Sequence, residues 1–99
     1  MTRETGTQGL VVRFNGVFDM AAARHALDAL AQAPAESEIY IDLTQVREFH
    51  DHGVVLLAEG LASFSRRVAV RGLGTHQYRM LRYMGVDPSA LDMVPVSRA

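Results

Sequence analysis

The chain has 99 residues, 48% hydrophobic and 21% charged, enough for one compact domain with one core and too few for a second. Its net charge of −1 argues against binding nucleic acid through bulk electrostatics. Cysteine is absent and all ten basic residues are Arg, which excludes disulfides, thiolate zinc sites, thiol nucleophiles and lysine-based Schiff-base or P-loop chemistry.

Met1 to Gln8 is polar and reads as a loose start with no secretory signal, so the expected compartment is the cytoplasm. Leu10 to Phe14 is apolar and β-branched, hence a strand. Asn15-Gly16 is a strong turn signal and Val17-Phe18 a short strand, so the segment is either a hairpin or one strand bent at the glycine. Asp19 then stands as an N-cap before an alanine-rich helix from Met20 to Ala33, with Ala23, Leu27 and Leu30 on its core stripe and Pro34 as its stop.

Ile39 to Leu43 is the next strand, and Thr44 to His52 is less regular. From Gly53 the pattern is helical, with Val54, Leu57, Leu61 and Phe64 at spacings of three and four. Gly60 lies inside that helix, where it favours close packing on a sheet. Arg67 to Arg71 is a strand, and Thr75 is an N-cap for a short helix from Gln77 to Met84. Gly85 marks a left-handed helix end, Asp87-Pro88 a stop, and Leu91 to Val96 a last edge strand limited by Pro95.

This order predicts one α/β domain over residues 1–99, with its core at about 10–86. Its sheet is mostly parallel but mixed, has about four to five strands, and is packed by helices. In a layer this thin, helices are expected on one face only. No apolar run approaches the roughly 18 residues of a membrane span. Residues 1–50 carry four Arg and seven acids, and residues 51–99 six Arg and four acids.

The densest group of functional side chains is His50-Asp51-His52-Gly53, in a strand-to-helix loop where open α/β sheets bind ligands. On chemistry alone, the simplest reading makes Asp51 a cap or first-turn acid and leaves the histidines solvated. His50 and His52 share a face only on extended backbone, and two histidines with one acid are too few ligands to assign a metal. No serine sits in a nucleophile-elbow pattern, and Gly72-Leu73-Gly74 lacks the spacing of a phosphate loop. Acid–base catalysis by the histidines lacks a nucleophile, so no catalytic residue, cofactor or metal is expected.

From Leu10 to Val86 the chain resembles the STAS family, named for sulfate transporters and anti-sigma factor antagonists. Gly16-Val17-Phe18-Asp19 is similar to the family's entry to its first helix. Ile41 to Val46 resembles its aspartate–leucine–serine strand end, Phe49 to Gly53 its phosphorylation-motif region with one residue missing, and Gly85-Val86 its closing glycine–leucine. The resemblance implies a STAS-like fold and a non-catalytic regulatory protein-interaction module. Its partner would be an anti-sigma factor kinase, a stressosome-type scaffold or a transporter subunit. The docking residues would be His50, Asp51, His52 and Gly53, then Asp19 and Thr44, whose turns lie near the motif loop in the family. Alignment on Gly53 puts Asp51 where regulatory members carry the phosphorylated serine. No phosphorylation is therefore expected at that position, and Asp51 supplies about one negative charge where phosphoserine carries about −1.5 to −2. No nucleic acid and no membrane span are expected, and a homodimer is compatible with the reading. The alternatives are a small-ligand sensor, binding a nucleotide or anion at the helix N-termini, and a STAS subunit of a transporter complex. Asp51 counts against the anion reading because it repels anions at the start of the helix.

Overall fold

The computed structural model describes residues 9–86, together with the backbone of two short strands at 2–5 and 92–95. Strand β1 is Thr2–Thr5 and β2 is Gly9–Phe18, followed by helix α1, Met20–Gln32. Strand β3, Glu38–Phe49, leads into helix α2, Asp51–Ser63. Strand β4, Val68–Leu73, leads into helix α3, Thr75–Tyr83, and β5 is Asp92–Pro95. The five strands lie in sequence order, β1-β2-β3-β4-β5. Strands β2 to β5 run parallel, and β1 pairs antiparallel with β2.

Alternation on the central strands decides which face is covered. Leu10, Val12 and Phe14 of β2, Ile39, Ile41 and Leu43 of β3, and Val68 and Val70 of β4 all point into one core. Ala23, Ala26, Ala29 and Leu30 of α1, Val54, Leu57, Ala58 and Leu61 of α2, and Leu81 of α3 complete that core from the helix side. Their neighbours Arg13, Asp42 and Arg71 stand in register across β2, β3 and β4 on the other face. The helices thus cover one face, as expected, and the opposite face carries the polar row Arg13, Asp42 and Arg71 beside the less polar row Val11, Tyr40 and Ala69.

Several local expectations change. The polar start is not loose throughout: Thr2–Thr5 forms β1, held by main-chain pairing that side-chain patterning does not encode. Of the two readings of Asn15-Gly16, the hairpin is excluded and the single strand irregular at the glycine holds: β2 passes through it, with Gly16 at φ 70° and register shifts between Arg13 and Asn15 and between Gly16 and Val17. Strand β3 continues beyond Leu43 to Phe49, through the stretch read as irregular. Gly60 faces a helix and not the sheet: a Cβ there would collide with the Leu27 methyl groups of α1. Leu27 is accordingly half-buried against α2. Gly74, not Thr75, is the N-cap of α3, which starts two residues earlier than expected. Asp87-Pro88, Leu91 and Val96 lie outside the described residues.

At the far end of the sheet, Arg66 holds the loop between α1 and β3. Its guanidinium donates to the carbonyl oxygens of Ala33, Pro34 and Ser37 at 3.4, 2.9 and 2.5 Å. A cation there also complements the negative end of α1. An open cavity lies beside this clamp, lined by Ser37, Glu38, Tyr40, Arg66, Arg67 and Ala69 among others.

Candidate functional site

In a parallel sheet covered on one face, the helices start at the carboxyl ends of the strands. Asp19, His50 and Gly74, the N-caps of α1, α2 and α3, therefore share one end of the molecule. The Asp19 side chain caps α1, with its Oδ1 accepting from the Ala22 amide at 2.9 Å. Its main chain forms the floor on which α2 begins. A Cβ on Gly53 would lie 2.5 Å from the Asp19 carbonyl carbon and 2.6 Å from its oxygen, so only glycine permits this approach. The His50 amide ties the same junction by donating to the Phe18 carbonyl at 2.9 Å. Beneath it, Phe18 is fully buried, with Phe14 edge-on at 5.2 Å and Phe49 at 6.2 Å between ring centres.

Helix α2 begins at Asp51 instead of Gly53. Asp51 is a first-turn acid, and the His50 N-cap makes no side-chain capping bond. A carboxylate in the first turn is favoured by the positive end of the helix. The Asp51 carboxylate also lies 3.4 Å from His76 Nε2 at the start of α3, and His50 Nε2 lies 3.6 Å from a Glu48 carboxylate oxygen. The sequence alone does not place His76, because its meeting with Asp51 depends on the packing of α2 beside α3. The only sequence signal was that both residues follow a strand.

His50, Asp51, His52 and His76 are all exposed. Beside them, Val17 and Met20 are 44% and 43% exposed, two of the few large apolar side chains left in solvent among the described residues. Val17 pairs in register with Glu48, and Met20 follows the Asp19 cap, so both flank the loop at residues 50–53. The result is an acidic and histidine-bearing loop on backbone fixed by Phe18, Asp19 and Gly53, next to a segment that exposes two apolar side chains.

The expected docking residues therefore divide into groups. His50, Asp51 and His52 present side chains on this surface. Asp19 is half-buried as a cap, and Gly53 is buried and sets the approach of α2. Thr44 is separated from the loop. It lies mid-strand on β3, six residues before His50, on the order of 15–20 Å along an extended chain. Its hydroxyl and amide both donate to Asp42 Oδ1, at 2.6 and 2.9 Å. Partial burial pushes the Asp42 carboxyl upward. The two Thr44 bonds and the Arg13 guanidinium, 3.3 Å away, outweigh that and hold it below the usual carboxylate range.

Among the described residues, no group of three or more His, Asp or Glu side chains is placed to hold a metal. None of the described helices is long and apolar enough to cross a membrane. The cavity lined by Asn15, Gly16, Thr44, Gln45, Val46 and Arg47 lies along the strands, away from the start of α2.

No curated protein matches the chain. A family model described as "Mlab, STAS domain" matches residues 1–95, which includes β1 and β5 as well as the central strands. With a match over nearly the whole chain, and α2 starting at the loop where the resemblance placed the family motif, this chain belongs to the STAS domain family.

Proposed function

We propose that this domain is a non-catalytic regulatory module of the anti-sigma factor antagonist type, and that it docks a protein partner through residues 50–53 and the start of α2. STAS domains are generally non-catalytic and mediate protein interactions, and membership of the family supports that coarser role. The observation that carries the finer reading is the surface at the carboxyl end of the sheet. There, exposed Val17 and Met20 adjoin exposed His50, Asp51 and His52 on rigid backbone. Exposed apolar side chains close to charged ones suit a protein interface, and the acid selects a partner with a basic rim. That partner is an anti-sigma factor kinase, a stressosome-type scaffold or a transporter subunit, met in the cytoplasm. Asp51 cannot accept phosphate from a serine kinase, so its charge is permanent and the usual switch at this position is absent.

The test uses tagged wild-type and Asp51→Lys chains as bait in lysate from source cells, followed by titration of the captured protein after purification. The expected result is a partner of one of these classes whose affinity falls about tenfold or more with Asp51→Lys, which removes the charge contact and sets a like charge against the partner's basic rim. Unchanged affinity in that variant would remove the loop from the interface. A bait that captures no protein but binds a nucleotide at the α2 start would replace the proposal with the small-ligand reading.

A further inference from the structure

We propose that the solvent face of α3 is a second docking surface, built for an acidic segment of a partner protein. It does not rest on the function proposed for the loop at residues 50–53. Leu81 anchors the inner side of this helix in the core. The opposite side carries Arg79, Arg82 and Tyr83, all exposed. Spacings of three and four put them on one surface of a helix. Tyr83 is 93% exposed, the most exposed large hydrophobic side chain among the described residues. The Arg82 guanidinium sits 5.9 Å from the centre of the Tyr78 ring, which limits its freedom before any partner arrives.

The helix THQYRMLRY has no acid, so nothing along it neutralises Arg79 and Arg82. In α2, by contrast, Asp51 and Glu59 are both acidic and no arginine or lysine is present. Arg and Tyr are the residue types that dominate binding hot spots. The guanidinium presents a planar fork matched to carboxylates, and a tyrosine loses little rotamer freedom on docking. Two arginines one turn apart are too short a track for a polyphosphate backbone, which requires many phosphate contacts. The apolar side of the helix is spent on the core, so no apolar stripe remains for a membrane surface. Charge complementarity then leaves carboxylate-bearing protein segments with an apolar residue to cover Tyr83.

Fluorescence anisotropy provides the test. The probe is a labelled peptide of about 12 residues, enough to span this nine-residue helix, with glutamates three and four apart around one leucine. Nitrogen-15 spectra of the full chain locate the contact. The expected result is saturable binding with shifts centred on Arg79, Arg82 and Tyr83. Arg79→Gln with Arg82→Gln should weaken it about tenfold and Tyr83→Ala about fivefold, while Arg24→Glu on α1 changes it less than about twofold. All four substituted side chains are exposed, and circular dichroism confirms each fold. Absence of peptide binding, an equal loss with Arg24→Glu, or no loss with Tyr83→Ala would overturn the proposal. Tighter binding to single-stranded DNA or to vesicles of anionic phospholipid would overturn it as well.

Discussion

Asp19 serves its neighbours in two ways: its carboxylate caps α1, and its carbonyl group is the floor under Gly53. The first role is legible in sequence, because an aspartate directly before an alanine-rich run reads as a cap. The second is not, because it depends on how closely α2 approaches the β2–α1 turn, and that distance is tertiary. The same limit made Gly53 read as a surface residue when it is buried. Gly53→Ala should therefore destabilise the domain despite alanine's better helix propensity, because the obstacle is backbone. We expect a net loss of about 1–3 kcal/mol, the usual range for overpacking, and a melting temperature lower by roughly 5–20 °C for a chain this size. An unchanged melting curve would show that the approach is not tight. Asp42 gives a pH test at the same scale. Its carboxyl is held below the usual range by Thr44 and Arg13 despite partial burial. The stability it contributes is thus present above its unfolded pKa, near 3.9, and is lost as pH falls through the lower folded value. Urea unfolding from pH 7 to pH 3 should show Asp42→Asn losing less stability on acidification than wild type. The difference should be under about 1 kcal/mol for so open a site.

Among the elements, strands and helices with strong patterns were legible. Val68-Ala69-Val70 and Ile39-Tyr40-Ile41 read as strands because their β-branched residues suit a pleated core, and the alanine-rich α1 read as a helix. The upper half of β3 was not, for a structural reason. Between the pairs Arg13↔Asp42 and Asn15↔Gln45, β3 advances three residues against two in β2; between Gly16↔Val46 and Val17↔Glu48, it advances two against one. These extra residues put Thr44 and Gln45 both in solvent and break the period of two that signals a strand. β1 was missed because its polar sequence carries no strand pattern. The contact of α1 with α2 depends on Leu27 seated at Gly60. Gly60→Val should cost about 1–3 kcal/mol, and Leu27→Ala in the same chain should recover part of that loss. Urea titrations of the four proteins in this cycle measure the coupling. Strict additivity would show that the two helices do not meet there.

Across the whole molecule, helices on one face leave the other face of the sheet open and gather three helix starts at one end. The arrangement also sets apart charges that the sequence mixes. Asp51 and Glu48 stand at the carboxyl end of the sheet, whereas Arg79 and Arg82 face outward from α3. Sequence showed that the later half is richer in arginine, but not that α3 would collect two of them on one exposed face, which required knowing that Leu81 points inward. The family was legible from the order of its landmarks, and the loop at residues 50–53 from the density of its side chains. The meeting of Asp51 with His76 required the fold.

We propose this loop and the start of α2 as the place where a protein partner binds, and hydrogen–deuterium exchange of the purified complex against the free domain is the decisive experiment. We predict new protection at residues 50–56 and at the adjoining 17–20 segment, with the strand positions around Arg13 and Asp42 unchanged. Protection confined to the open sheet face, with none at the start of α2, would contradict it.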